Sequence, residues 1–118
     1  IPVDSHELIA LCAPRPVFIS VGIEPGDPKW IDAAGLYRAG LLATPVYTLL
    51  GKKGYGEDIT DWVHAPLPPV GTLMGKDMVF RQHEGGHTSG PNVPIYFDWV
   101  GNFIKSPAAP AASGQSPK

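Results

Sequence analysis

At 118 residues, 43% of them hydrophobic and with a formal net charge of −2, the chain has a globular composition and room for at most one ordinary domain. Its nine Lys and Arg residues are scattered, with Lys52-Lys53 the only adjacent basic pair, which argues against an extended nucleic-acid surface. No apolar run approaches the roughly 20 residues that span a bilayer, and a single cysteine, Cys12, rules out an intrachain disulfide or dithiol redox chemistry.

Asp4-Ser5-His6-Glu7 is a capping-box signature, an N-cap acceptor with a glutamate three residues on. It predicts a short buried helix over 8–13, stopped by Pro14 and Pro16, with Cys12 as a buried structural thiol and His6 in the first turn. Residues 17–22 are β-branched and almost continuously apolar, as in a parallel strand covered on both faces. Pro25-Gly26-Asp27-Pro28 is a loop by composition. A helix is expected over 29–42, then a second strand over 45–51, which together make a βαβ unit.

Residues 52–76 have little periodicity and many Gly and Pro; so long a loop is either functional or packed on a larger body. A short third strand is expected over 78–82, then a glycine-bearing loop over 83–90. Asn92 can cap a last helix in which Tyr96, Trp99, Val100 and Phe103 recur at helical spacing. The Pro/Ala/Ser-rich residues 106–118 read as a disordered tail behind a segment spanning 1–105. So few strands make an incomplete sheet. A larger N-terminal portion is therefore expected to complete it, with a homodimer as the other solution.

The strongest chemical signal is Arg81-Gln82-His83-Glu84-Gly85-Gly86-His87-Thr88, after a strand and before a helix. Glycines there allow unusual dihedrals and close backbone approach, and so can hold His87 as a general base at the top of a sheet. A loop histidine satisfied by local hydrogen bonds is the plainer reading. His83-Glu84-Gly85-Gly86-His87 also matches H-E-x-x-H, which would make a zinc hydrolase with His83 and His87 as ligands. That motif needs a helix, and two adjacent glycines cost a helix about 2 kcal/mol.

Asp27 follows the first strand, where α/β folds place functional groups, and a carboxylate there can orient an imidazole. Glu24 competes with it locally, Asp32 reads as an exposed helix residue, and a turn role before Pro28 is the simpler account of Asp27 from these residues alone. Trp30, Tyr55, Trp62 and His64 are candidates for lining a substrate cleft, Trp30 being as well suited to a core.

Taken in order, these pieces resemble a family. Asp4-Ser5-His6-Glu7-Leu8-Ile9-Ala10-Leu11-Cys12-Ala13-Pro14-Arg15-Pro16-Val17 is similar to the helix-to-strand passage of large α/β-hydrolase esterases, in particular bacterial glucuronoyl esterases and acetyl xylan esterase-like proteins. Glu24-Pro25-Gly26-Asp27-Pro28-Lys29-Trp30-Ile31-Asp32 looks like their acid-bearing loop, Val46-Tyr47-Thr48-Leu49-Leu50-Gly51-Lys52-Lys53-Gly54-Tyr55-Gly56 like their penultimate strand and its loop, and Gly85-Gly86-His87 like their histidine loop. Trp99 falls in the closing helix.

The resemblance implies the C-terminal portion of an α/β-hydrolase fold and a serine esterase acting on carbohydrate-linked esters. It implies His87 as catalytic base and Asp27 as triad acid, and neither metal nor organic cofactor, while Trp62, His64 and Trp30 are read as substrate-binding from their aromatic surface alone. It also implies a secreted or periplasmic setting. Such esterases carry their serine in a G-x-S-x-G-like elbow, which this chain lacks: Ser5 opens a helix, Ser20 lies inside a strand and Ser89 follows the histidine loop. The nucleophile and oxyanion donors are thus expected upstream, and the segment alone is expected to be inactive. The remaining alternative is a non-catalytic interaction fragment of the same ancestry.

Overall fold

The computed structural model describes residues 2–24, 31–55 and 60–104. The capping box forms as expected: the Glu7 carboxylate accepts from the Asp4 N–H at 2.7 Å, and the Asp4 carboxylate accepts in turn from the start of α1 (Ser5–Ala10). Helix α1 lies three residues earlier than the expected 8–13, and none of its residues is fully buried, against the expectation of a buried helix. Residues 11–14 continue as turns, and Cys12 is half-buried, its thiol directed at the Leu8 carbonyl.

Strand β1 (Val17–Ile23) follows, as the apolar run predicts. The main departure comes next. Helix α2 runs from Ala33 to Leu49, so the strand expected over 45–51 is instead the last turn of a helix followed by a turn at 50–51. Tyr37, Gly40, Leu41, Thr44 and Tyr47 are all buried at helical spacing, and that stripe continues past Pro45. Pro45 itself faces outward. Burial of the stripe outweighs the local strand preference of Val46-Tyr47-Thr48. At the start of α2, Asp32 is the N-cap, its carboxylate accepting from the Gly35 N–H at 2.8 Å.

The parallel partner of β1 is therefore a later strand, β3 (Met78–Glu84), two residues longer than expected. Gly22 pairs with His83 and Ser20 with Arg81. A two-residue strand, β2 (Met74–Gly75), pairs antiparallel with β3, giving the order β1-β3-β2. Among the described residues one edge of β1 has no partner strand.

The core lies between the sheet and α2. Val21, Met78 and Phe80 meet Tyr37, Leu41 and Tyr47, with Ile9 and Ala10 of α1 packed at the margin. Tyr55 stacks on Tyr37 with centroids 5.2 Å apart and is 4% exposed, which makes it core rather than a cleft wall. The long irregular segment is pinned to the sheet. The Gln82 amide donates to the Pro68 carbonyl at 2.6 Å, and the Gly71 N–H donates to the Gln82 carbonyl at 2.8 Å. Helix α3 (Val93–Val100) packs on Phe18 through edge-on contacts with Tyr96 and Trp99. No helix among the described residues is long and apolar enough to cross a membrane.

Candidate active site

Strand β3 ends at Glu84, and the chain reverses through Gly85 (φ +110°) and Gly86 (φ +75°). Both angles lie in the region that only glycine adopts without cost. A second constraint acts at Gly86: a β-carbon there would collide with the Glu24 carboxylate, and one at Gly22 would collide with the Gly86 carbonyl. The close approach lets the Gly86 N–H donate to the Ile23 carbonyl at the end of β1, at 3.1 Å. The Thr88 N–H donates back to the Gly86 carbonyl at 2.7 Å, and the Gly90 N–H donates to the Thr88 hydroxyl at 3.2 Å. A single 3-10 turn, Gly90–Asn92, then leads into α3.

His87 stands exposed in this loop, at the C-terminal ends of the parallel strands β1 and β3. That is where open α/β sheets present ligands. It lines a cleft of about 510 Å³ with Ser20, Gly22, Ile31, Thr88 and Ser89. Neither serine of that cleft sits in a strand-turn-helix elbow: Ser20 is within β1 and Ser89 precedes the 3-10 turn. Glu24 is exposed beside Gly86, at the end of β1. Asp27 and Trp30 lie outside the described residues. The described residues that flank them, Glu24 and Ile31, stand at the His87 loop and in the wall of its cleft respectively.

Trp62 and His64 occupy an exposed turn, outside the described walls of that cleft. The His64 Nδ1 lies 3.0 Å from both carboxylate oxygens of Asp61, so Asp61 orients this imidazole.

The H-E-x-x-H reading meets a geometric obstacle. His83 is within β3 and His87 beyond a glycine reversal, so the two rings do not share a helical face. The His83 Nδ1 bonds the carbonyl of Glu84 at 2.7 Å; a carbonyl only accepts, so the proton sits on Nδ1. Nε2 is buried and has no hydrogen-bond partner. No group of three or more His, Cys, Asp or Glu side chains suited to a metal occurs among the described residues.

Sequence reasoning missed a polar cluster beneath the loop. Asn92 makes no side-chain cap bond to α3. Its amide instead donates to the Ser20 hydroxyl at 2.8 Å and to the Arg81 carbonyl at 3.2 Å, and its oxygen accepts from the Arg81 guanidinium. The signal available was the alternation of β1 and β3, which puts Ser20 and Arg81 on one face.

Comparison with known proteins sets this arrangement in a family context. No family model matches the chain. It is 48% identical over 87 residues to "Carbohydrate esterase MZ0003" from an unknown prokaryotic organism, a match covering 74% of this chain and 18% of the relative. Its structure superposes on a CE15 glucuronoyl esterase from Teredinibacter turnerae T7901 with a TM-score of 0.71 and 41% identity, over 86% of this chain and 22% of the other. A promiscuous CE15 esterase from a marine bacterial metagenome gives a TM-score of 0.68 at 32% identity, covering 87% and 24%. The chain is a C-terminal part of an α/β-hydrolase fold, similar to carbohydrate esterases. A glucuronoyl esterase from Solibacter usitatus shares the fold at 28% identity and a TM-score of 0.69. The chain spans between 18% and 24% of the length of these relatives.

Proposed function

We propose that the chain supplies the base, and with it the acid, of a Ser-His-Asp triad in an esterase acting on carbohydrate-linked esters, the serine lying in an N-terminal portion of the same hydrolase. In this reading the serine Oγ attacks the ester carbonyl as His87 takes its proton. The tetrahedral intermediate collapses to an acyl-enzyme, and the imidazolium gives that proton to the departing alcohol. His87 then deprotonates a water, which releases the acid and restores the serine. Asp27 holds the imidazole in its working tautomer and stabilises its charged form. Trp30 and Trp62 offer flat apolar surface to a sugar ring, and His64, oriented by Asp61, offers a polar contact.

The observation that carries this reading is the position of His87, on a glycine-enforced loop at the C-terminal ends of parallel strands and open to a cleft. The names of the relatives support the ester chemistry. Glu24 is a second candidate for the acid, favoured by the contact of its carboxylate with Gly86, next to the histidine.

The test is ester hydrolysis by the complete polypeptide. His87→Ala is expected to lower kcat by about 10³-fold or more, and Asp27→Asn by a comparable factor, with Glu24→Gln leaving most of the activity. The opposite ranking of the two carboxylate variants transfers the acid role to Glu24. Retention of activity by His87→Ala contradicts the reading and leaves the non-catalytic alternative.

A further inference from the structure

The loop that carries His87 is anchored at both ends on the same strand. Before the histidine, the Gly86 N–H is bonded to the carbonyl of Ile23. Five residues after it, Asn92 is 2% exposed and reaches down to the Ser20 hydroxyl of β1, three residues before Ile23. Ser20 and Arg81 are register partners on neighbouring strands. By bonding both, the Asn92 amide ties β1 to β3 directly below the loop.

An asparagine side chain can make four hydrogen bonds, and three are made here, one of them charge-assisted by Arg81. The guanidinium is itself held by the Gly71 carbonyl at 3.2 Å. A helix cap does not require this residue, because its side chain makes no cap bond.

We infer that Asn92 is a positioning residue for His87, fixing the far end of the histidine loop to β1 so that the imidazole keeps its place relative to the strand end where the acid candidates begin. The inference rests on His87 being the base, as proposed above. Without the Asn92 side chain, Gly86 still holds the near end of the loop, but residues 87–91 can shift as a unit. A general base displaced by about 1 Å loses up to 100-fold in rate, with little change in substrate binding.

The experiment is steady-state ester hydrolysis by the complete polypeptide carrying Asn92→Leu, Asn92→Asp, Ser20→Ala or His87→Ala, with the folded fraction of each taken from near-UV circular dichroism. Asn92→Leu is expected to lower kcat per folded molecule by about 10- to 100-fold, with KM within about twofold of its starting value. Asn92→Asp keeps an acceptor for Arg81 and should lose only a few-fold. Unchanged kcat per folded molecule in Asn92→Leu overturns the inference and leaves Asn92 a purely structural residue. Should Asn92→Leu fail to fold, Ser20→Ala removes the tie to β1 together with one hydroxyl of the cleft wall, and an unchanged kcat there overturns it equally. His87→Ala separates the two levels. If it stays active, the base assignment itself fails; if it is inactive while both Asn92→Leu and Ser20→Ala keep full kcat, only the positioning role fails.

Discussion

At the scale of single residues, the glycines explain why the histidine loop can exist. Gly86 combines a left-handed dihedral with contact on the Glu24 carboxylate, and Gly22 admits the Gly86 carbonyl against β1. Gly86→Ala meets both obstacles. The dihedral alone costs about 1–2 kcal/mol, and the collision adds to it unless the exposed Glu24 side chain swings away. Urea unfolding should show a loss of at least that size, and the double variant Gly86→Ala with Glu24→Ala should recover the part due to collision. His83 illustrates the opposite case, a histidine whose sequence context suggests a metal ligand and whose place in β3 makes it a buried side chain bonded to its own strand. The glycine reversal was legible from the letters Gly85-Gly86-His87. The Asn92 cluster was not, because it depends on which strand pairs with which.

At the scale of elements, the same dependence on long-range pairing separates what could be read from what could not. The capping box, β1, β3 and α3 are encoded locally, by cap chemistry and by apolar runs, and each formed near its expected place. Residues 45–51 carry a proline and β-branched side chains that favour a strand locally, and only the buried stripe from Tyr37 to Tyr47 makes them helix. Pro45 also removes an N–H from the ladder of α2, so Pro45→Ala should stabilise the fold by about 1–2 kcal/mol, the helix gain being partly offset by a freer unfolded chain. Chemical denaturation of the two forms measures it.

Tyr47 gives a pH signature of the same helix. Fully buried, and donating to the Arg15 carbonyl at 2.8 Å, it has its phenol pushed up to about 12 by burial, with the Cys12 thiol a lesser cause. The unfolded phenol ionises near its ordinary value of 10.0. The folded state therefore binds more protons between these values, and its stability falls as pH rises from about 10 to about 12. Tyr55 and Tyr37 are raised in the same direction by burial and steepen the loss. Ultraviolet titration of tyrosinate should follow unfolding monitored by circular dichroism, and Tyr47→Phe should weaken the pH dependence. Free ionisation of Tyr37, Tyr47 and Tyr55 near pH 10 in folded protein would contradict it.

At the scale of the whole molecule, the described structure is a sheet with one strand edge open and apolar side chains left in solvent, among them Leu11 at 72% and Phe97 at 65% exposure. The sequence already implied this, since β1 is too apolar for an outer strand, and the matched segment makes up only 18% to 24% of the length of its relatives. The segment by itself should therefore bind a hydrophobic dye and self-associate in sedimentation, and the complete polypeptide should do neither. Whether His87 activates a serine elsewhere in the same hydrolase can be read from fluorophosphonate labelling of the complete polypeptide followed by peptide mass spectrometry. One labelled serine is expected, outside residues 1–118, with labelling suppressed by His87→Ala in folded protein. Labelling that His87→Ala leaves intact, or a folded polypeptide in which no serine is labelled, would contradict it.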